Sequence, residues 1–593
     1  MRLAITTNSE LPLKAGEFET LPDGLDYAAR GETGYNFFSG RGKPTSALTY
    51  AQLREDAIDL ARRLVAAGFT AGSRVAIVAE TTPEFLIFFY ACQYASLVPV
   101  PLPLSLNVGG HQAYVTRLRG MLSAARPCAA AGSTEIVRFL REAAEGLGLS
   151  LVDTCEAFRA LPEGGADIRP FGKDDPCYIQ YSSGSTTKPR GVLVTQRAIT
   201  ANARAIGRFG LALRSGDRAT SWLPLYHDMG LVGFCLTPML SQITVDYLAT
   251  SSFALRPRLW LKLISDYRST ISFSPTFGYE LCVRRSAKDG GGGFDLSSWR
   301  AAGVGGEMVR PEVLTQFADL FADSGFDRRA FMPSYGLAEA TLAVTFTPSG
   351  RGMGVDTIER EAYERFGRAV PVNGAGVDRH GVRAFATCGR PLPGYELTIC
   401  DDTARPLPER TIGRVVVAGP SLMDGYFQDA ESTEEVVLGA GRLDTGDMGY
   451  LVDGELVITG RRKDMIICNG RNIWPQDLEW SVETLPAVRS GGVAAFSVLG
   501  AEQEERVVVV VECYTNDPAL RRALERDVLA SVHRTAGVPC EIVLVAPRSL
   551  PYTSSGKLSR ATAKSQYLNG SLTPVEAPDR SGAAVVAVRT SAG

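Results

Sequence analysis

The sequence predicts an α/β protein: a large N-terminal domain of helix-covered β-sheets with a β-rich subdomain, then a small C-terminal α/β domain. Three observations lead there. Up to about residue 323, apolar strand-like runs alternate with amphipathic helices; after about 385, short strands joined by glycine turns take over; from about 460 a fresh strand–helix alternation begins. A chain of 593 residues is also too long for one core.

Residues 49–68, TYAQLREDAIDLARRLVAAG, have apolar spacings of three and four and a glycine stop, which predicts a helix. SRVAIVA at 73–79 predicts a buried strand, and a helix over 83–95 follows. The most membrane-like stretch is 85–106, FLIFFYACQYASLVPVPLPLSL. Its prolines at 99, 101 and 103 break any helix there, so it reads as a helix running into an extended strand of a buried sheet, without integral membrane association. The alternation recurs as helices at 197–213, 257–267 and 311–323 and strands at 218–223 and 244–249, the pattern of a parallel sheet covered by helices. GYELTIC, GRVVVAG, GYLV and GELVITG supply the β-rich subdomain. AFSVLG, RVVVVVECY and EIVLVAP, with a helix over 517–536, supply the last domain. The boundary falls at 460–464, giving domains 1–460 and 461–568. The small, polar, proline-containing tail 569–593 is expected to be disordered or loosely attached.

A net charge of −3 argues against a protein that coats nucleic acid. Eleven single cysteines without a C-x-x-C pair read as reduced thiols in a cytoplasmic protein. The four histidines, at 111, 227, 380 and 533, lack zinc-like spacing, so no structural metal is expected. The N-terminus has no long apolar stretch of the kind a signal peptide needs.

Six segments carry chemistry. In 181–191, YSSGSTTKPRG, the residues Ser182, Ser183, Gly184, Ser185, Thr186, Thr187, Lys188 and Arg190 pack hydroxyls, backbone N–H groups and cations into one turn suited to polyphosphate. It is not a Walker A loop, and composition alone fits a polar surface loop equally well. In 221–231, SWLPLYHDMGL, His227 stands among apolar residues, where a satisfied core histidine is the ordinary reading. In 303–309, GVGGEMV, Gly305 and Gly306 allow close approach of a flat ring, and Glu307 follows. In 334–342, SYGLAEATL, Tyr335 and Gly336 precede Glu339, a carboxylate suited to Mg²⁺; a helix start capped by Ser334 is the alternative. Asp447 sits in a glycine turn, LDTGD, and Arg461 opens GRRKD. Lys557 follows a Ser-Ser-Gly turn in PYTSSGKLSR, where a solvated lysine is usual.

In this order the six segments resemble the motifs of the adenylate-forming superfamily, which includes acyl-CoA synthetases, peptide-synthetase adenylation domains and luciferases. Thr187 stands where that family usually has glycine, Arg190 where it has lysine, and Ala338 where it has threonine. The resemblance implies ATP and Mg²⁺ as cofactors. It implies that the loop 182–190 binds phosphates, that Gly305, Gly306, Glu307, Tyr335 and Gly336 contact adenine, and that Glu339 binds Mg²⁺. It further implies that His227 lies near the reacting carboxylate, that Asp447 and Arg461 hold the ribose, and that Lys557 is the catalytic lysine. Lys463 becomes the hinge about which a mobile C-terminal domain rotates. The long link between Glu339 and Gly389 contains an extra segment at about 350–386, which resembles the insertion of the fatty-acyl-AMP ligases. That branch implies a fatty acid substrate and an acceptor that is an acyl carrier protein or a polyketide or peptide synthase carrier domain. The rivals are an acyl-CoA synthetase, a phosphotransferase or ATPase releasing ADP, and a non-catalytic nucleotide or acyl binder. Phe273, Ser274, Thr276, Phe277 and Tyr279 are equally readable as acyl-pocket wall or aromatic core.

Overall fold

The computed structural model describes residues 11–104, 110–165, 167–182, 189–372, 381–439, 441–468, 471–499, 505–553 and 557–575. They form two compact units, Met1–Arg462 and Lys463–Gly593.

The centre of the larger unit is a run of parallel strands in the spatial order Phe331–Gly336, Ala301–Val304, Ile271–Ser274, Arg218–Ser221, Thr244–Leu248, Gly34–Phe38. They are short and mostly buried, polar residues included, because both faces are covered. Antiparallel strands close the edges: Pro44–Thr49 on one side, Ala343–Phe346 and Arg390–Pro391 on the other. A second, all-parallel sheet orders Val98–Leu102, Arg74–Val78, Ala129–Gly132 and Leu151–Thr154. Val98–Leu102 is its edge. Val98 N–H faces inward to Ser73 O at 2.9 Å, so the alternating Pro99 and Pro101 put their missing donors on the unpaired side.

Helix Tyr50–Ala66 is capped by Thr49, which accepts from Gln52 N–H, and buries Leu53, Ala57, Leu60, Ala61 and Leu64 along one stripe. Helix Pro83–Tyr94 is buried on every side from Phe85 to Tyr94, which is why its sequence is apolar throughout. Among the described residues no helix is long and apolar enough to cross a membrane. The helix predicted over 197–213 is α-helical only through Gln196–Arg204 and continues as a π-helical turn, Ala205–Gly210; a second π turn spans Val232–Leu236. The β-rich subdomain is a sheet of Glu396–Cys400, Gly413–Ala418, Arg442–Val452, Val437–Leu438 and Glu455–Arg461.

The smaller unit has strands Val493–Leu499, Glu505–Glu512 and Cys540–Val545, with helices Pro475–Glu483, Pro518–Ala536 and Arg560–Leu568. The tail expected to be disordered or loosely attached from 569 is packed as far as 575: Leu572 is buried, and Val575 N–H donates to Leu544 O at 2.8 Å. Residues 576–593 lie outside the described residues.

A charged cluster sits within the large sheet. Arg218 donates through Nε and Nη2 to both oxygens of Asp246, at 2.6 and 2.7 Å, and Asn36 Nδ2 adds 2.9 Å to the same carboxylate. Asp246 is fully buried, so its charge depends on these donors. Asp246→Ala is expected to destabilise the larger unit by about 3–5 kcal/mol, read as a lower urea midpoint of its unfolding transition. An unchanged midpoint would remove the pair from the account of how the sheet centre is held.

Candidate active site

Ligand sites in open α/β sheets lie beyond the carboxyl ends of the parallel strands. The sequence-marked segments lie there. His227 follows Arg218–Ser221; Gly305, Gly306 and Glu307 follow Ala301–Val304; Tyr335 and Gly336 end Phe331–Gly336, with Glu339 just beyond. Backbone constraints fix their spacing. A Cβ on Gly336 would stand 1.7 Å from Leu342 O, and one on Gly230 would stand 2.1 Å from Pro224 O. Gly306 has φ +78°, with the Met229 methyl beneath it.

Two clusters organise the rim. In the first, Tyr335 Oη donates to Asp447 Oδ2 at 2.7 Å, while Arg461 Nε lies 3.2 Å from Asp447 Oδ1. Asp447 and Arg461 are direct partners on the antiparallel strands Arg442–Val452 and Glu455–Arg461. Burial, reinforced by the Asp447 carboxylate, pushes the Tyr335 phenol well above its ordinary pKa, so it remains a donor.

In the second cluster Tyr426 Oη donates to Glu339 Oε1 at 2.7 Å. Arg190 lies over the Tyr426 ring at 5.3 Å and reaches Glu435 Oε2 at 3.3 Å. The backbone fastens the same pieces: Met423 N–H donates to Glu339 O, and Phe427 N–H to Gly191 O. Burial and the Glu339 charge raise the Tyr426 pKa, which keeps the proton on the phenol oxygen, donated to the Glu339 carboxylate. Glu339 stands beside strain. Thr341 has φ 68° and ψ −56°, and Leu342 N–H closes onto Ala340 O at 2.9 Å, a rare γ-turn for a β-branched residue. Thr341 Oγ1 donates to Ser421 O at 2.8 Å and helps hold it.

His227 Nδ1 lies 2.6 Å from Asp228 Oδ1, which also accepts Met229 N–H at 2.7 Å. Met229 N also approaches Nδ1 at 3.3 Å; the shorter carboxylate contact favours assigning a proton to Nδ1. Met229 then lines an apolar cleft, with Phe234, Ile243, Phe273, Leu342 and Phe346. Gly303 makes room for one wall, since a Cβ there would fall 2.0 Å from the Phe273 ring. The other aromatic candidates divide. Tyr279 packs into the Trp260, Trp299, Phe317 and Phe331 core, and Phe277 lies edge-on to Trp222. Ser274 and Thr276 are buried and donate to backbone carbonyls. Glu307 accepts Phe277 N–H at 2.9 Å, placing a carboxylate at the start of helix Thr276–Ser286.

Of the phosphate-loop candidates, Ser183, Gly184, Ser185, Thr186, Thr187 and Lys188 lie outside the described residues. Ser182 and Arg190 pair across the hairpin that flanks them. Lys463 and Lys557 belong to the smaller unit. There Lys463 occupies a short 3₁₀ turn, and Lys557 is bonded to Thr553: its O accepts Thr553 N–H at 2.7 Å and its N–H donates to Thr553 Oγ1 at 3.1 Å. Sequence reading missed Tyr426. The DGYF segment that carries it has no motif of its own, and only the fold brings it to Glu339.

A family model described as AMP-binding enzyme matches residues 26–427. A Caulobacter vibrioides protein with the provisional name acyl-CoA synthetase is 46% identical, covering 96% of this chain and 99% of its own. A medium-chain-fatty-acid–[acyl-carrier-protein] ligase of Moorena producens is 33% identical over 96% of this chain and 99% of its own. A solved structure from work on the fatty acyl-adenylate ligases of E. coli and L. pneumophila superposes with TM-score 0.89 at 43% identity, covering 94% of this chain and 100% of that one. The L. pneumophila enzyme bound to acyl adenylate and pyrophosphate superposes at 0.71 with 28% identity, covering 95% and 98%.

Tyr426→Phe removes the donor to Glu339 and leaves the ring in place. A hydrogen bond to a charged group contributes about 1.5–3 kcal/mol to stability, so the melting temperature should drop modestly, and at a temperature where the variant is fully folded acid-dependent pyrophosphate release should fall by about tenfold or more. A rate equal to wild type would show that Glu339 does not need this partner.

Proposed function

The chain belongs to the AMP-binding enzyme family and is an adenylate-forming ligase, and we propose that it activates a fatty acid and passes the acyl group to a carrier-protein phosphopantetheine thiol. The observation that carries the fatty-acid reading is the apolar cleft. Its walls include Met229 and Leu342, so the segments that bear His227 and Glu339 also build a lipid-like pocket.

In the proposed reaction a carboxylate oxygen attacks the α-phosphorus of ATP, the bond to the bridging oxygen of the β-phosphate breaks, and pyrophosphate leaves. An anion must approach an anion, so charge neutralisation and positioning supply most of the acceleration. Arg190 and the loop 182–191 hold the terminal phosphates. Asp447 and Arg461 hold the ribose, with Tyr335 and the glycines at 305 and 306 against the adenine. Lys557 bridges the carboxylate and α-phosphate oxygens. His227, its Nδ1 proton engaged by Asp228, turns Nε2 toward the acid.

The residues present fit a Mg²⁺ that keeps waters and phosphate oxygens as ligands. Such a site needs only one or two carboxylates, and Glu339 offers one oriented by Tyr426. Among the described residues no group of three or more His, Cys, Asp or Glu forms a protein-only metal cage. When bound, the ion neutralises phosphate charge.

The acceptor step needs the smaller unit to rotate about Lys463 and admit a thiol, whose sulfur attacks the acyl carbon and displaces AMP. The segment 350–386 supports the carrier-protein branch because it is a built feature. Strands Val355–Glu359 and Val382–Ala386 pair around helix Arg360–Phe366. Asp356 fastens them to the β-rich sheet, accepting from Tyr450 Oη at 2.7 Å and from Arg410 at 3.2 Å. The name of the Caulobacter relative keeps the acyl-CoA synthetase as the second reading.

With Mg·ATP and dodecanoate, acyl-AMP should persist when CoA is added and be consumed by a phosphopantetheinylated carrier protein, followed by mass. Conversion to acyl-CoA would move the protein to the synthetase branch. Lys557→Ala should lose acyl-AMP formation and keep ATP binding; wild-type single-turnover rates in that variant would end the role given to Lys557.

A further inference from the structure

Arg560 heads the helix Arg560–Leu568, three residues after Lys557. Its guanidinium spans two carboxylates. Nε and Nη2 donate to Glu479 Oε1 and Oε2 at 2.7 and 2.6 Å, and Nη1 donates to Asp464 Oδ2 at 2.9 Å. These side chains are mostly buried: Arg560 is 22% exposed, Asp464 15% and Glu479 5%. Burial opposes the Arg560 charge, but Glu479 and Asp464 outweigh it and hold the group cationic.

The three residues belong to three different pieces of the smaller unit. Asp464 directly follows Lys463 in the short turn Arg462–Asp464. Glu479 lies on helix Pro475–Glu483, and its Oε1 also accepts Ala495 N–H at 3.0 Å from the central sheet. Arg560 adjoins the residues flanking Lys557, where Ser559 N–H donates to Pro551 O at 2.9 Å and Tyr552 bridges Leu558. A forked guanidinium–carboxylate pair has a fixed plane and direction, which a lysine cannot reproduce.

We propose that Arg560 is a positioning residue that locks the turn carrying Lys463 and the bonded residues Pro551–Thr553 and Lys557–Ser559 into one rigid body. Rotation of the backbone at Lys463 then carries the Lys557 ammonium at a set geometry. This rests on the hinge and catalytic roles given above to Lys463 and Lys557.

Asp464→Asn tests it most cleanly, because the Arg560–Glu479 pair remains to hold the fold. Two half-reactions of the full-length protein are measured: pyrophosphate release from Mg·ATP with dodecanoate, and consumption of pre-formed dodecanoyl-AMP by a phosphopantetheinylated carrier protein. Adenylation kcat should fall about tenfold, with the KM for ATP within about twofold of wild type and the second half-reaction unchanged. Arg560→Lys should show the same split, and the double variant should be no slower than Arg560→Lys alone. Wild-type adenylation in Asp464→Asn, or equal slowing of both half-reactions, would overturn the proposal. Lys557→Ala run alongside separates the two levels: if it adenylates normally, the lysine assignment fails; if it does not and Asp464→Asn does, the coupling fails.

Discussion

The hydrogen bond from Tyr335 to Asp447 joins two sheets that share no strand. Tyr335 lies near the end of the outermost parallel strand of the large sheet, and Asp447 belongs to the β-rich sheet, opposite Arg461. Because Asp447 is buried, its charge needs both partners, and that need keeps the rim of one sheet facing the other. The nucleotide groove proposed here is the space this bond keeps in register. The Arg190–Tyr426–Glu339 cluster repeats the device at the phosphate end: a buried phenol again orients a carboxylate and links chain segments far apart in sequence.

The arrangement separates two kinds of work. Parallel strands with both faces covered supply a stiff platform whose carboxyl ends all open on one rim. Short, specially constrained turns then aim the side chains. Gly336 and Gly230 permit contacts that a Cβ would forbid, and Thr341 is held in a strained turn by its bond to Ser421. Placing that strain beside Glu339 fixes a carboxylate that would otherwise sit on a pliable loop. Beneath the rim the chemistry becomes apolar within two residues, from His227 to Met229, as an acid with a hydrocarbon tail requires.

The sheets and most helices were legible in the sequence because apolar period and glycine punctuation report burial directly. The helix Tyr50–Ala66 and the strand Arg74–Val78 fall where spacing put them. The π turn after Arg204 was not legible, since a change from four- to five-residue bonding leaves the apolar spacing almost intact. Motif residues could be named, but their partners could not. Nothing in DGYF signals that Tyr426 meets Glu339, and nothing in GGEMV signals that Glu307 takes the Phe277 N–H at a helix start. Phe273 and Tyr279, ambiguous as aromatic residues in one segment, separate only in space, one toward the cleft and one into the core.

On the proposed mechanism this rim transfers an adenylyl group reversibly to a fatty carboxylate. Exchange of radiolabelled pyrophosphate into ATP measures that step without any acceptor. Exchange should need both Mg²⁺ and dodecanoate, and Glu339→Gln and Lys557→Ala should each abolish it. Release of ADP and phosphate, or exchange indifferent to the fatty acid, would contradict the mechanism.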